Sequence, residues 1–245
     1  MNTVGLLRCS TMALVALTAV LRAEDDFTVP EPSPYPMRSF GYIELGAAVI
    51  TDFDAIMSGV TTNGSWSQNT TLSLSPGFAV NGGFGDSLGR WVTVEFLAGI
   101  LYNNVDTVTG PSGDLGPVDG SLMQVPLMLN IAVQAPLKGP VQPFVGAGAG
   151  AVISWLDIQQ TVQVGSGDLV TLDGSSTEYN FAYQFFGGVR YRLSQDARVT
   201  LTYRFQGCVS PTWSLDSAYY GGTAATLKAS DIYAQSLMLG FQASF

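Results

Sequence analysis

The chain has 245 residues, 47% of them hydrophobic and only 12% charged, with 19 acidic side chains against 10 basic ones. So acidic a balance repels nucleic acid and excludes it as a partner. No histidine occurs anywhere, which removes the usual general base and the Ser-His and His-Asp arrangements of hydrolytic sites.

Residues 1–23 read as a secretory signal peptide. Arg8 lies in a short front, an apolar stretch runs from Thr11 to Leu21, and Ala23 precedes Glu24-Asp25-Asp26. That stretch is too short to cross a bilayer as a helix. Removing it leaves Cys208 as the only cysteine and eight basic residues against nineteen acidic, so no internal disulfide forms in the mature chain. Residues 24–39 hold Val29-Pro-Glu-Pro-Ser-Pro-Tyr-Pro36, an extended leader expected on the periplasmic side. The remaining segment, 40–245, carries no apolar run long enough for a transmembrane helix. Its hydrophobicity is instead dispersed in alternating stretches, as in lipid-facing strands.

Eight such stretches follow in chain order. The first, Phe40 to Ile50, sets Ile43, Leu45, Ala47 and Val49 against Tyr42, Glu44, Gly46 and Ala48. The second, Thr71 to Asn81, groups Leu72, Leu74, Phe78 and Val80 on its oily face, and the third runs from Arg90 to Asn103 with Glu95 on its polar face. The fourth is Leu122 to Val133; the fifth, Pro143 to Trp155, places Gly146, Gly148 and Gly150 inside, leaving room for long side chains across a narrow lumen. The sixth, Tyr179 to Leu193, and the seventh, Ala197 to Phe205, turn Gln184, Arg190, Arg192, Arg198 and Arg204 inward. The eighth, Asp231 to Phe245, puts Leu237, Leu239, Phe241, Ala243 and Phe245 on one face. A chain ending inside an amphipathic strand needs a partner for it, and pairing with the first stretch closes the sheet.

Link lengths alternate. Long links fall at 51–70, 104–121, 156–178 and 206–230, short ones at 82–89, 134–142 and 194–196. That is the plan of an all-β, closed antiparallel up-and-down transmembrane barrel with short periplasmic turns, longer external loops and both mature termini in the periplasm. Strand-like segments in the third long link, Ile158 to Val164 and Leu169 to Leu172, predict that the fifth and sixth strands project beyond the membrane, and leave a ten-strand count open beside the eight-strand one. Pro76 and Pro126 sit within proposed strands and predict local bulges.

Five stretches carry a resemblance: Gln124-Val-Pro-Leu-Met-Leu-Asn130, Pro143-Phe-Val-Gly-Ala-Gly-Ala-Gly150, Ala182-Tyr-Gln-Phe-Phe-Gly-Gly-Val-Arg-Tyr191, Leu201-Thr-Tyr-Arg-Phe205 and Leu239-Gly-Phe-Gln-Ala-Ser-Phe245. Together they make residues 40–245 similar to the small eight-stranded outer-membrane proteins of the opacity and OmpA transmembrane-domain type. The resemblance implies an outer-membrane location, contact with lipid and lipopolysaccharide, and a terminal assembly signal in Gly240, Phe241, Ala243 and Phe245 read by the barrel assembly machinery. It implies no activity, because a fold does not fix function.

The sharpest local signal is inward charge. Glu44, Glu95, Arg190 and Arg204 fall at similar depths and should meet across a lumen only wide enough for its side chains. Paired, they form a polar plug; a narrow channel for small solutes is the alternative built from the same groups. External loops collect Asp52, Asp54, Asp106, Asp114, Asp119, Asp157, Asp168, Asp173, Glu178 and Asp216. Arg38, Arg90, Lys138, Arg190, Arg192 and Arg198 gather at the other end. The acidic loops read as a hydrated surface, without calcium-loop or nonapeptide spacing. Gly82-Gly-Phe-Gly85, placed in a turn, precedes no helix and cradles no phosphate. The reading is a monomeric, non-enzymatic barrel with a structural or surface-interaction role, no catalytic residues, no cofactor and no metal.

Overall fold

The computed structural model describes residues 39–61, 64–111, 113–114, 118–135, 139–163, 169–215 and 225–245. The expected signal peptide and all of the Pro-rich leader except Ser39 lie outside the described residues. Within them the chain forms thirteen strands: β1 (Ser39–Ile50), β2 (Phe53–Thr61), β3 (Gly64–Leu74), β4 (Gly77–Leu88), β5 (Val92–Gly110), β6 (Gly113–Asp114), β7 (Asp119–Gln134), β8 (Val141–Gln163), β9 (Leu169–Arg192), β10 (Ala197–Cys208), β11 (Thr212–Leu215), β12 (Ala225–Ala229) and β13 (Ile232–Ser244).

Eight of these close a ring. In order around it stand β1, β4, β5, β7, β8, β9, β10 and β13, every neighbouring pair antiparallel, and β13 returns to β1 from Phe40↔Ser244 to Ile50↔Ala234. The ring count is therefore eight, and the last strand pairs with the first as its alternation required. Closure leaves no edge to protect. The outward face is apolar: Ile43, Leu45, Leu129, Ile131, Val145, Phe185 and Leu239 are all exposed. Aromatic rings rim this band at both ends. Phe78 stacks on Tyr102 at 5.6 Å and Phe205 on Tyr233 at 5.7 Å toward the long-loop end, while Phe84, Tyr191, Phe241 and Phe245 are exposed toward the short-turn end. Such belts match the headgroup levels of a bilayer.

The long links are largely strand. β2, β3, β11 and β12 form a second layer of wall above the ring, with β3 joining the upper end of β5. The fifth and sixth predicted stretches do project: β8 has 23 residues and β9 has 24, about twice the 9–11 that a tilted membrane strand needs. The upper layer keeps the ring's registers. Ile50↔Ala234 in β1–β13 is followed at the same offset by Ala55↔Ala229 in β2–β12, and β2–β3 and β11–β12 continue β1–β4 and β10–β13 likewise.

What changes at the break is the phase of the side chains. Buried Ala48 and Ile50 give way to buried Phe53, Ala55 and Met57; Leu72 and Leu74 give way to Ala79 and Asn81; Cys208 gives way to Trp213 and Leu215. β5 makes the same switch within one strand, from Val105 to Val108, where its register against β3 shifts between Ser73 and Leu74. Above the break the polarity of the wall inverts. Phe53, Met57, Leu72, Trp213, Leu215 and Leu227 fill the inside, while Ser65, Ser67, Asn69 and Lys228 face out, with Ile56 and Val60 as apolar exceptions on β2. That is the pattern of a water-soluble sheet.

The phase switch corrects the second predicted strand. Leu72 and Leu74 share parity with Phe78 and Val80 but point inward, and the ring strand is Gly77–Leu88. Gly82 to Gly85, expected in a turn, lies inside β4 paired with β5. Glycine hid that strand because it lacks the β-branched signature. Its use at Gly83 is steric, since a Cβ there would strike the Tyr42 ring. Neither proline makes the expected bulge. Pro76 occupies the link between β3 and β4, where no ladder donor is needed. Pro126 lies in β7 with register unbroken on both sides; opposite it the β5 ladder skips from Ala98↔Leu127 to Leu101↔Gln124 at the same offset.

Candidate functional site

Inside the ring, strand parity turns one polar set toward the axis from β1, β5, β9 and β10. Glu44, Glu95, Arg190 and Arg204 are each at most 5% exposed. Glu44 and Arg204 meet directly, Nη2 to Oε2 at 3.1 Å. Thr202 donates its hydroxyl to Glu44 Oε1 at 2.8 Å and Thr200 does so at 3.4 Å, so the carboxylate is held by one charge and two hydroxyls. The other arm of Arg204 donates to Gln184 Oε1 at 2.9 Å, and Gln184 Nε2 donates to Asn130 Oδ1. The chain of bonds runs from β1 through β10 and β9 to β7. Such a network is worth more whole than in parts.

Arg190 is held differently. It donates to Gln134 Oε1 at 2.9 Å, and its guanidinium lies 4.2 Å from the centroid of Phe144. Arg204 lies 4.8 Å from the centroid of Phe186, whose ring tilts against Phe144 at 6.3 Å. Two cation–π contacts thus share one aromatic pair. A Cβ at Gly146 would run into the Phe186 ring, so the glycine leaves the room that this side chain occupies. Glu95 lines the same small cavity as Glu44, Arg190, Arg204 and Tyr42, but makes no direct ion pair among the described residues. The cavity has a volume of about 10 Å³, at the threshold for a single water.

Of the four charges expected to meet, Glu44 and Arg204 are bonded, while Arg190 and Glu95 share the cavity without touching a charge. Arg192 and Arg198 were expected to face the lumen; Arg192 is exposed at the rim and Arg198 is half-buried below the network, because Arg192 is the last residue of β9 and Arg198 the second of β10, at the turn that joins them. Parity turns Asn130 and Thr202 inward as well; the partners it leaves out are Gln134, Phe144 and Phe186. Each sits on the inner face of its strand, and the signal that finds them is register: Arg204 stands opposite Phe186, and Asn130 opposite Gly148, which in turn is opposite Gln184.

Above this network the lumen is mainly apolar, with buried Asn81, Asn103, Gln124, Ser154 and Gln206 set among its hydrophobic side chains. Leu97, Leu101, Leu122, Met128, Val152, Leu156 and Met238 pack in one cluster that runs on into Met57, Leu72 and Leu227 of the upper wall. Trp213 on β11 is fully buried in it and points its Nε1 at the Ser154 carbonyl, 3.4 Å away. β11 is set by Ser210, whose φ of 34° is rare for a residue with a side chain; Asp231 Oδ1 accepts from both its N, at 3.0 Å, and its Oγ, at 2.9 Å. Among the described residues the strand has no ladder against β9; Ser214 N donates to Ser176 Oγ at 3.1 Å. The acidic residues of the upper wall form no group of three metal-ligating side chains among the described residues.

No protein-family model and no curated protein matches the sequence. Solved structures do match in fold. The outer membrane protein OprG from Pseudomonas aeruginosa is 16% identical, with a TM-score of 0.55, and the match covers 85% of this chain and 97% of that one. The outer membrane protease OmpT from Escherichia coli is 8% identical, with a TM-score of 0.51, over 88% of this chain and 100% of that one. At such identities the likeness speaks for architecture alone, and with the closed ring and the aromatic-rimmed apolar band it gives the chain the fold of the small outer-membrane β-barrels, with eight strands in the ring.

Proposed function

We propose that the protein is a non-enzymatic barrel of the outer membrane whose sealed lumen makes it a structural or surface-interaction element. The observation that supports this most is the filling of its interior. A cavity of about 10 Å³ among the charges is followed by the Leu97–Met128–Trp213 packing, so an ion crossing the barrel meets a polar plug and then a closely packed layer of mainly apolar side chains. Export by residues 1–23, periplasmic termini, and assembly through Gly240, Phe241, Ala243 and Phe245 belong to the same reading. The surrounding partners are outer-membrane lipid and lipopolysaccharide, with the upper wall standing clear of them as a monomeric stalk. The chain's lack of histidine and, among the described residues, the lack of a nucleophile–base pairing in the lumen support a non-catalytic role.

A narrow channel is the second reading, favoured by the convergence of Glu44, Glu95, Arg190 and Arg204 on one cavity. Planar-bilayer recording of the purified protein separates the two. A sealed barrel gives a silent bilayer; reproducible single-channel steps, altered by Glu95→Gln or Arg204→Gln, would overturn it in favour of the channel.

A further inference from the structure

The aromatic belt at the long-loop end carries a polar ledge directly above it. On the outward face of β5, β7 and β8, Tyr102, Met123 and Trp155 stand opposite one another in one row. The next outward row is Asn104, Ser121 and Asp157, and the row above that pairs Asp119 with Gln159. Asn104, Asp119, Asp157 and Gln159 are exposed there, and Tyr102 and Ser121 are half-buried. A single step of two residues along each strand therefore separates ring chemistry from hydrogen-bonding chemistry.

The ledge is also hollow. The β5–β7 ladder ends at Asn104↔Ser121, and the next pairing on that side of β5, Thr109↔Asp114 with β6, is two residues out of the earlier offset. At this break lies a cleft of about 420 Å³, lined by the side chains of Tyr102, Asn104, Asp119, Ser121, Asp157 and Gln159. Its volume falls in the range of small-ligand sites, roughly 300–1,000 Å³.

The lining chooses among ligands. Among the described residues no basic side chain lines the cleft, and Asp119 and Asp157 stand diagonally across the β7–β8 ladder, so a phosphate or other anion is repelled. An apolar chain meets one ring and otherwise polar groups. Carboxylates, a carboxamide and a hydroxyl offer acceptors and donors together, and a hydroxyl that donates to a carboxylate makes the stronger, charge-assisted bond. The Tyr102 ring, held in its stack on Phe78, supplies a flat apolar floor. A ligand that uses all of these is a ring with hydroxyls at its edge and C–H groups on its face.

We propose that this cleft is a saccharide-binding site, in which Asn104, Ser121, Asp119 and Asp157 bond the hydroxyls and Tyr102 lies beneath the ring. The proposal rests on the outer-membrane reading above, which puts the cleft one step outside the headgroup level marked by the belt. Sugars reach that level in two ways, carried by a glycolipid of the adjoining leaflet or presented from outside the cell.

The test uses the full-length protein in phosphatidylcholine nanodiscs. Fluorescently labelled discs are passed over an array of immobilised oligosaccharides, and in parallel the midpoint of thermal unfolding is compared in discs with and without lipopolysaccharide. Wild type should be retained on at least one class of saccharide or stabilised by lipopolysaccharide. Asn104→Ala and Asp157→Ala should each weaken that response about tenfold, the loss of one or two hydrogen bonds; both residues are exposed, so the barrel still folds. Asn69→Ala, on the outer face of β3, should leave it unchanged. Retention on the array alone assigns an external glycan, and stabilisation alone assigns a lipid-borne sugar; either supports the site. Equal responses in wild type and an Asn104→Ala/Asp157→Ala double variant overturn it, as does equal weakening by Asn69→Ala or no response in either arm. A response that a chelator abolishes and Asn104→Ala leaves intact belongs to a carboxylate-bound cation and also overturns it. Membrane fractionation reads location separately, so loss of the site and loss of the outer-membrane reading are told apart.

Discussion

The lower and upper parts of the barrel solve the same filling problem with opposite chemistry. Below, the wall is apolar outside and the interior is held by Glu44, Arg204, Thr202 and Gln184; above, the wall is polar outside and the interior is a hydrophobic core closed by Trp213. The solvent outside dictates the difference. Where the outer face meets lipid, burying more apolar surface inside gains nothing relative to the outside, so specificity comes from bonded polar groups. Where it meets water, the hydrophobic effect becomes available and the interior uses it. The one-residue phase switch in β1–β2, β3–β4, β5 and β10–β11 marks the level at which one regime hands over to the other.

That contrast breaks most sharply at its ion pair. Arg204→Gln should cost about 3–5 kcal/mol, because Glu44 is left buried without its counter-charge; urea unfolding of the liposome-embedded barrel reads it. A Glu44→Gln/Arg204→Gln double variant should recover a large part of that loss, since two uncharged groups replace one orphaned charge. Trp213→Ala in the upper core should cost about 3 kcal/mol, at the low end for a large aromatic because β11 lacks a ladder with β9 and can settle inward. No second variant should rescue it, as a cavity has no counter-charge to remove.

The inversion of the wall predicts a pair of outcomes from one chemical change. Leu129→Lys, on the apolar band, should cost about 2–4 kcal/mol by the depth-dependent penalty of a lipid-facing cation. Asn69→Lys, on the outer face of the upper wall, should stay within about 0.5 kcal/mol. Equal costs would mean that both faces see the same solvent. A modest effect is expected at the Ser210–Asp231 contact: Asp231→Asn should cost about 1 kcal/mol, the net worth of hydrogen bonds to Ser210 weakened in charge but kept in shape. Its readout is faster deuterium uptake at Ser210 and Ser214 without a change in the ring.

How much of this was legible in the residues depends on the region. Alternation carried the ring well: the lipid face of β1, β7 and β13, the inward glycines of β8 and the closing partner of the last strand all follow from period two within a single unbroken strand. It failed where the period itself is interrupted. Leu72 and Leu74 read as lipid-facing because Phe78 and Val80 are, and nothing local says that Ser75-Pro76 shifts the phase between them. The upper core was invisible for the same reason: Phe53, Met57, Trp213 and Leu227 lie in segments whose length marked them as loops. In the lumen, charge type and depth located Glu44, Glu95, Arg190 and Arg204. Which carboxylate holds which guanidinium depends on side-chain reach and on the neutral groups Gln184, Gln134 and Phe144, which carry no charge to flag them.

The matched offsets across the break have a consequence for how this chain can change length. Links of two or three residues on a surface are ordinarily where insertions and deletions are absorbed. Here Thr51 and Asp52 carry phase between two registered sheets, with Ile50↔Ala234 on one side and Ala55↔Ala229 on the other. Removing either residue would turn Phe53, Ala55 and Met57 out to water and bring Asp54 and Ile56 in. A compensating change would have to fall in every neighbour that crosses the same level, so these short links are as fixed in length as the strands they join, and loop grafts belong at the tips beyond them.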